Sequence, residues 1–230
     1  MSVVMKFGGT SVADAEAIAR VIAIVRGQAE SRAADKPPVV VVSALAGVTD
    51  RLIDAAHRAE DGDADGATAS LNELLERHLA AASALTSGKR HVELVAAVRE
   101  EFAGVVGMMR ALAVLREVSP RSFDASVAAG ELASSRIVAA ALAERGVPAV
   151  WVDARTIVIT DAEHTGAAPQ MAETCARTSQ SLGRLAAGGQ VAVLGGFIGA
   201  TVQGITTTLG RGGSDYSAAI IGACLGVDEI

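Results

Sequence analysis

Val39-Val40-Val41-Val42-Ser43-Ala44-Leu45-Ala46-Gly47-Val48-Thr49-Asp50 reads as four β-branched residues running into a turn of small residues. An unbroken valine run of this kind suits a strand buried on both faces, as in a parallel sheet. The small-residue turn then leads into a helix. The chain opens in the same way. Val3-Val4-Met5-Lys6-Phe7 is short and apolar, Gly8-Gly9 bounds it, and Thr10 and Ser11 stand as caps of a helix, Ser11-x-x-Asp14 resembling a capping box. Along that helix Ile18, Val21, Ile22 and Val25 form one apolar face. Two strand–turn–helix units within the first 60 residues make a βα alternation, and hence an α/β fold.

Further along, Leu71, Leu74, Leu75, Leu79 and then Leu94, Val95, Val98 and Phe102 recur at helical spacing. The break at Ser87-Gly88 makes this a helical hairpin, inserted at 67–117 and closed by Ser119-Pro120. A third turn-to-helix signal lies at Ala128-Ala129-Gly130-Glu131, followed by an apolar helix to Leu142. Strands are expected at 149–152, 157–159 and 190–194, a helix at 171–185, and a nascent strand at 227–230. His78 and His91 lie in the hairpin without the glutamate-flanked spacing of a metal pair and read as packing or surface residues. The acidic stretch 61–66 fails as a calcium loop, because Asn72 stands where the glutamate ligand belongs and Glu73 comes one place late.

The chain has 230 residues, half of them apolar, enough for a sizeable core. With 20 basic and 26 acidic residues its net charge is −6, and no polybasic run marks a nucleic-acid partner. Aromatic residues make up only 3%, too few for a base-stacking platform. Cys175 and Cys224 have neither the number nor the spacing of a disulfide framework or a zinc site and read as small core residues. The sequence shows no signal-peptide pattern and no uninterrupted apolar run of membrane-spanning length, so a reducing, cytoplasmic setting without a membrane partner is expected.

The chemistry concentrates in Gly204-Ile-Thr-Thr-Thr-Leu-Gly210-Arg211-Gly212-Gly213-Ser214-Asp215-Tyr-Ser217. Its glycines permit tight turns and close approach to a ligand. Ser214 is expected to cap the following helix, whose free N–H groups would face an anion. Arg211 supplies a planar fork suited to a carboxylate or phosphate. Lys6, one of three lysines in the chain, sits inside an apolar strand, where an ammonium is costly unless paired.

The strings Lys6-Phe-Gly-Gly-Thr-Ser-Val12, Val42-Ser-Ala-x-Ala-Gly-Val-Thr49, Gly130-Glu131, Gly196-Phe-Ile-Gly199 and Thr206-Thr-Thr-Leu-Gly-Arg-Gly-Gly-Ser-Asp-Tyr216 together resemble the aspartate kinases of the amino-acid kinase family. The resemblance implies a three-layer α/β/α sandwich with a mainly parallel central sheet and a helical hairpin insertion. It implies transfer of the ATP γ-phosphoryl group to the side-chain carboxylate of L-aspartate, with Mg²⁺ accompanying the nucleotide. The product, 4-phospho-L-aspartate, enters lysine, threonine, methionine and, in bacteria, diaminopimelate synthesis.

Carried over residue by residue, the resemblance puts Lys6, Gly8 and Gly9 on the β- and γ-phosphates, with Ser43 and Gly47 beside the phosphoryl oxygens. Asp215 orients Lys6, Arg211 clamps the substrate α-carboxylate, and Glu131 takes the α-ammonium. Thr49, Gly212, Gly213 and Ser214 complete the substrate side, and no metal-binding residues are assigned. Asp50 stands where many relatives carry asparagine, and no role is assigned to it. On the family pattern residues 1–230 are the front of the catalytic domain, without the later nucleotide pocket or regulatory domains, and the full-length enzyme is a homo-oligomer. The alternatives are a non-catalytic aspartate-binding fragment and another amino-acid kinase, such as one acting on acetylglutamate or a nucleotide.

Overall fold

The computed structural model describes residues 2–33 and 36–230. Its strands are β1 (Val4–Phe7), β2 (Val39–Val42), β3 (Ala149–Trp151), β4 (Ile159–Thr160), β5 (Val191–Gly195), β6 (Ile198–Thr201) and β7 (Thr206–Thr208). The helices are α1 (Ala15–Glu30), α2 (Val48–Glu60), α3 (Ala64–Leu85), α4 (Gly88–Leu115), α5 (Pro120–Val127), α6 (Ala129–Glu144), α7 (Met171–Ala187) and α8 (Gly213–Leu225). The main sheet has the order β1-β2-β5-β3 and every pair in it is parallel. Parallel neighbours need crossovers, and helices fill them on both faces.

The valine run explains the layering. All four residues of β2 are buried, and their side chains alternate between two cores. Val40 and Val42 join Val191 and Val193 beneath α1 and α6, whereas Val39 and Val41 join Val4, Ala192 and Leu194 against α7 and α8. Burying each such valine contributes roughly 1.5–3 kcal/mol. The result is the three-layer sandwich that the family resemblance implies. The helical hairpin α3/α4 packs on α2 and extends the first core through Leu71, Leu74, Val98 and Phe102. His78 lies buried there, its Nδ1–H donating to Leu74 O at 2.7 Å and its ring tilted against Phe102.

A second, smaller sheet, β4-β6-β7, contains an antiparallel hairpin that pairs Ile198 with Thr208. Strands at Ile198–Thr201 and Thr206–Thr208 are not expected from the sequence, because glycines and threonines carry little hydrophobic alternation. The last residues do begin to pair: Val3 and Glu229 form a parallel bridge at the outer edge of β1.

Several local expectations are corrected. Thr10 and Ser11 fall inside a 3₁₀ turn (Gly9–Val12), and Asp14 caps α1 by accepting from the Ala17 N–H at 2.8 Å. Asp63 caps α3 through the Gly66 N–H, so three residues of the acidic stretch 61–66 are already helical. Gly130 and Glu131 belong to the first turn of α6 rather than to a turn before it. Gly130 is required there by packing: a Cβ would stand 2.9 Å from that of Ala44 and 3.1 Å from Val48 Cγ1. Together α5 and α6 form 25 residues long and apolar enough to cross a membrane by length and composition, although no uninterrupted apolar run marks them; the apolar window is 83% buried inside the protein.

The cysteines also differ from expectation. Cys175 on α7 and Cys224 on α8 form a disulfide across the outer helical layer. Their 49-residue separation hid the pairing, which follows only from the side-by-side packing of the two helices.

Candidate active site

The main-sheet register sets β1, β2 and β5 side by side, Phe7 beside Val42 and Val42 beside Gly195. The turns that follow them are stitched together by Ser43 N–H to Phe7 O at 3.0 Å and Gly196 N–H to Val42 O at 2.8 Å. Clefts outside the carboxyl ends of parallel strands are the usual ligand sites of such sheets. Here the cleft is about 390 Å³ and gathers Lys6, Gly9, Ser43, Gly47, Thr49, Glu131, Arg211, Gly212, Gly213, Ser214 and Asp215. Residues spread over two hundred positions of sequence thus share one cavity. Gly8 does not line it directly but adjoins the lysine: a Cβ there would stand 3.6 Å from Lys6 Nζ.

Lys6 shares its face of β1 with Val4, two residues away, and so points toward the α8 side. Its Nζ meets Asp215 Oδ1 at 2.8 Å. The lysine side chain is 22% exposed and the aspartate 74%, so the pair stands at the cleft wall with the ammonium partly desolvated. Gly47 takes a left-handed conformation (φ 74°) and caps α2, whose first turn carries Thr49 and Asp50 into the cleft.

Gly212 does the same for α8 (φ 75°), which corrects the assignment of Ser214 as the cap. Ser214 is the second residue of the helix, and its backbone is close-packed: a Cβ on Gly196 would fall 2.8 Å from Ser214 Cα. Asp215 lies in that same first turn, where the helix dipole favours an anion. Arg211 is exposed on the loop and has no ion-pair or hydrogen-bond partner among the described residues.

Glu131 is the unusual group. It is 3% exposed, lines the cleft, and its Oε2 has no hydrogen-bond partner. Burial pushes its carboxyl up to about 8, only partly offset by backbone hydrogen bonds from Ala44 and its own N–H. A Cβ on Gly195 would press within 3.0 Å of Glu131, so the end of β5 is shaped around this side chain.

Three residues to which the sequence assigns no role also organise the site. Arg77 on α3 donates to Ala46 O at 2.7 Å and to Ala13 O at 2.8 Å, tying the turn after β2 to the end of the first 3₁₀ turn. Its only sequence signal is a cation beside a helical apolar stripe. Phe197 lines the cleft with φ 67°, a strained region for a bulky residue, and its N–H donates to Ser217 Oγ at 2.9 Å. Asp124 is completely buried on α5, and the one hint in sequence is an acid within an otherwise small and apolar stretch.

Comparison with known proteins agrees with this geometry. Residues 1–230 match the amino acid kinase family model over the whole chain. The sequence is 35% identical over 231 residues to lysine-sensitive aspartokinase 3 of Escherichia coli, covering 99% of this chain and 47% of that protein. It is 34% identical over 221 residues to the chloroplastic bifunctional aspartokinase/homoserine dehydrogenase 1 of Arabidopsis thaliana, covering 96% of this chain and 23% of that one. The solved structure of E. coli aspartokinase III with lysine and aspartate matches with a TM-score of 0.86 at 33% identity, covering 98% of this chain and 47% of that one. Its complex with aspartate and ADP gives 0.85. The chain spans less than half the length of these relatives. It belongs to the amino acid kinase family, and within that family its sequence stands with the aspartokinases.

Proposed function

We propose that the chain carries the substrate and phosphate lobe of an aspartate kinase, which moves the γ-phosphoryl group of ATP onto the side-chain carboxylate of L-aspartate, giving 4-phospho-L-aspartate and ADP. One observation carries the reading: a buried carboxyl group with one oxygen unbonded, Glu131, shares a cleft with an unpaired guanidinium, Arg211, and an ammonium, Lys6. An α-amino acid presents a cation and an anion on one carbon, and Glu131 and Arg211 offer the complement. Each charge-assisted hydrogen bond is worth about 1.5–3 kcal/mol once water is excluded. The similar E. coli enzyme, solved with aspartate and ADP, supports the same substrates for this chain.

With the α-carbon held by Glu131 and Arg211, the side-chain carboxylate is left facing the Lys6 end of the cleft. It is already ionised and needs no base. Its oxygen forms the bond to the γ-phosphorus as the bond to the ADP oxygen breaks, so positioning and charge stabilisation supply the catalysis. Lys6 neutralises charge on the transferring group, and Asp215 fixes the direction of its ammonium. Gly9, Ser43 and Gly47 line the phosphate path with Gly8 beside Lys6, and Thr49 lines the substrate side. Among the described residues no three histidine, cysteine or acidic side chains converge as a cation cage. Mg²⁺ entering with the nucleotide would neutralise phosphate charge, and Asp215 and Asp50 are the cleft carboxylates that would hold it.

The test is aspartyl phosphate trapped with hydroxylamine, assayed for the full-length protein and for residues 1–230, alongside calorimetric titration of L-aspartate. Turnover with aspartate is expected in the full-length protein. Turnover with acetylglutamate or UMP and none with aspartate would overturn the proposal. Binding without turnover by residues 1–230 would identify them as the aspartate-binding part of the enzyme.

A further inference from the structure

We propose that Asp124 is a positioning residue for Arg211, a buried carboxylate that fixes where the Gly210–Arg211 turn stands over the cleft. The inference rests on the reading of Arg211 as the clamp for aspartate, but the geometry of the turn can be tested without that ligand.

Asp124 lies on α5, is fully buried, and does not line the cleft. It accepts from three donors that belong to two other segments. Thr208 Oγ1 donates to Oδ1 at 2.6 Å, His164 Nδ1 approaches Oδ2 at 2.8 Å, and the Thr165 N–H is shared between both oxygens at 3.1 and 3.0 Å. Thr208 is the last residue of β7, two positions before Gly210. A further bond, Ala167 N–H to Thr208 O at 2.8 Å, joins the same two segments. The loop around His164 and Thr165 is thereby held as a floor under the glycine turn.

Two features make that floor decisive. Gly210 is left-handed (φ 75°), and a Cβ there would stand 3.2 Å from Thr165 O, so the turn is seated directly on Thr165. Thr165 is itself left-handed (φ 69°), a conformation rare for a β-branched residue and maintained only where its surroundings enforce it. Asp124 is the group that takes its N–H. Arg211, by contrast, is exposed and has no side-chain partner among the described residues, so its location is set by its backbone. Filling space on α5 would not require a carboxylate. Holding two backbone segments through three donors does.

The test compares Asp124→Asn and Thr208→Val with the parent protein in two measurements. The first is native-state trypsin cleavage after Arg211, followed by mass spectrometry. Each variant is expected to speed cleavage there about tenfold relative to the remaining lysine and arginine sites, as local opening of one segment does. The second is the dissociation constant for L-aspartate, measured with and without Arg211→Ala. Both variants should weaken binding about tenfold when Arg211 is present and less than about twofold when it is absent, since residues acting through one another are not additive.

Equal acceleration at all tryptic sites, or equal weakening in both backgrounds, would show a general structural role and overturn the inference. Unchanged cleavage after Arg211 would do the same. If Asp124→Asn does not fold, Thr208→Val, which removes one hydroxyl, decides the question. Failure of the parent protein to bind aspartate would defeat the functional proposal, while the cleavage measurement still decides whether Asp124 holds the turn.

Discussion

Asp124 and Glu131 sit seven residues apart on consecutive helices, both buried, and the protein treats them in opposite ways. Asp124 accepts hydrogen bonds from Thr208, His164 and Thr165. Glu131 leaves Oε2 without a partner and its carboxyl is driven up to about 8 by burial. A buried carboxylate surrounded by donors is an anchor, because its desolvation is offset within the fold. A buried carboxylate that faces a cleft with one oxygen unbonded is an unfinished receptor, whose missing partner must come from a ligand. The difference separates what holds this structure together from what it binds.

The largest expected effect sets the scale for both acids. Lys6→Ala should lower turnover with aspartate by about 10³-fold or more, as loss of a charge-stabilising group does, whereas Arg211→Ala should chiefly raise the KM for aspartate. Equal, small effects of the two substitutions in steady-state kinetics would contradict these roles.

Next comes the contrast in binding. Glu131→Gln should weaken L-aspartate by on the order of 100-fold, the loss of one buried ion pair with the ammonium. Calorimetry that finds Asp124→Asn the more damaging of the two would reverse the comparison.

In stability the two acids should separate in sign. Asp124→Asn is expected to destabilise by about 2 kcal/mol, since donors that faced a carboxylate meet an amide that accepts on one side only. Glu131→Gln should stabilise the ligand-free protein at pH 8, because it removes a buried group whose ionised form burial disfavours. Urea unfolding of both variants checks this, and destabilisation by both would erase the distinction.

The last effect is a slope. An unfolded Glu131 releases its proton near 4.5, while the folded protein retains it to about 8. Between those values the folded state binds more protons, so this group's contribution is complete below 4.5 and falls as pH rises, by about 1.4 kcal/mol per pH unit at most. His78 works the other way: burial lowers it from 6.5 to about 4, so the folded state resists protonation and stability declines as pH drops through that interval. The two slopes oppose each other from 4.5 to 6.5 and leave Glu131 alone from 6.5 to 8. Unfolding free energies of the parent and Glu131→Gln should therefore diverge across the upper interval. Parallel curves there would show that Glu131 ionises normally in the folded protein.

Much of the fold was legible because its signals are local. Four valines in a row, an apolar strand ending in paired glycines, and leucines at helical spacing each depend on neighbouring residues, and all became the elements expected. Lys6 was legible for the same reason, since an ammonium inside an apolar strand is conspicuous without any knowledge of its partner. Local reading failed where capping alternatives compete within a few residues. Asp14 displaced Thr10 and Ser11 as the cap of α1, and left-handed Gly212 displaced Ser214 at α8. The threonine-rich β6–β7 hairpin went unseen because its pairing is specified by the partner strand rather than by its own pattern.

The βα alternation, a valine strand buried on both faces, the glycine turns and the chemical types they carry are all written in the local sequence. Those properties follow from side-chain shape, backbone freedom and apolar periodicity within each segment. Tertiary packing alone brings Cys175 to Cys224, sets Arg77 between two turns, and satisfies Asp124 while leaving Glu131 Oε2 unbonded. Burial and partnership are properties of pairs of segments brought together by packing, and a carboxylate takes its role from the environment that packing gives it.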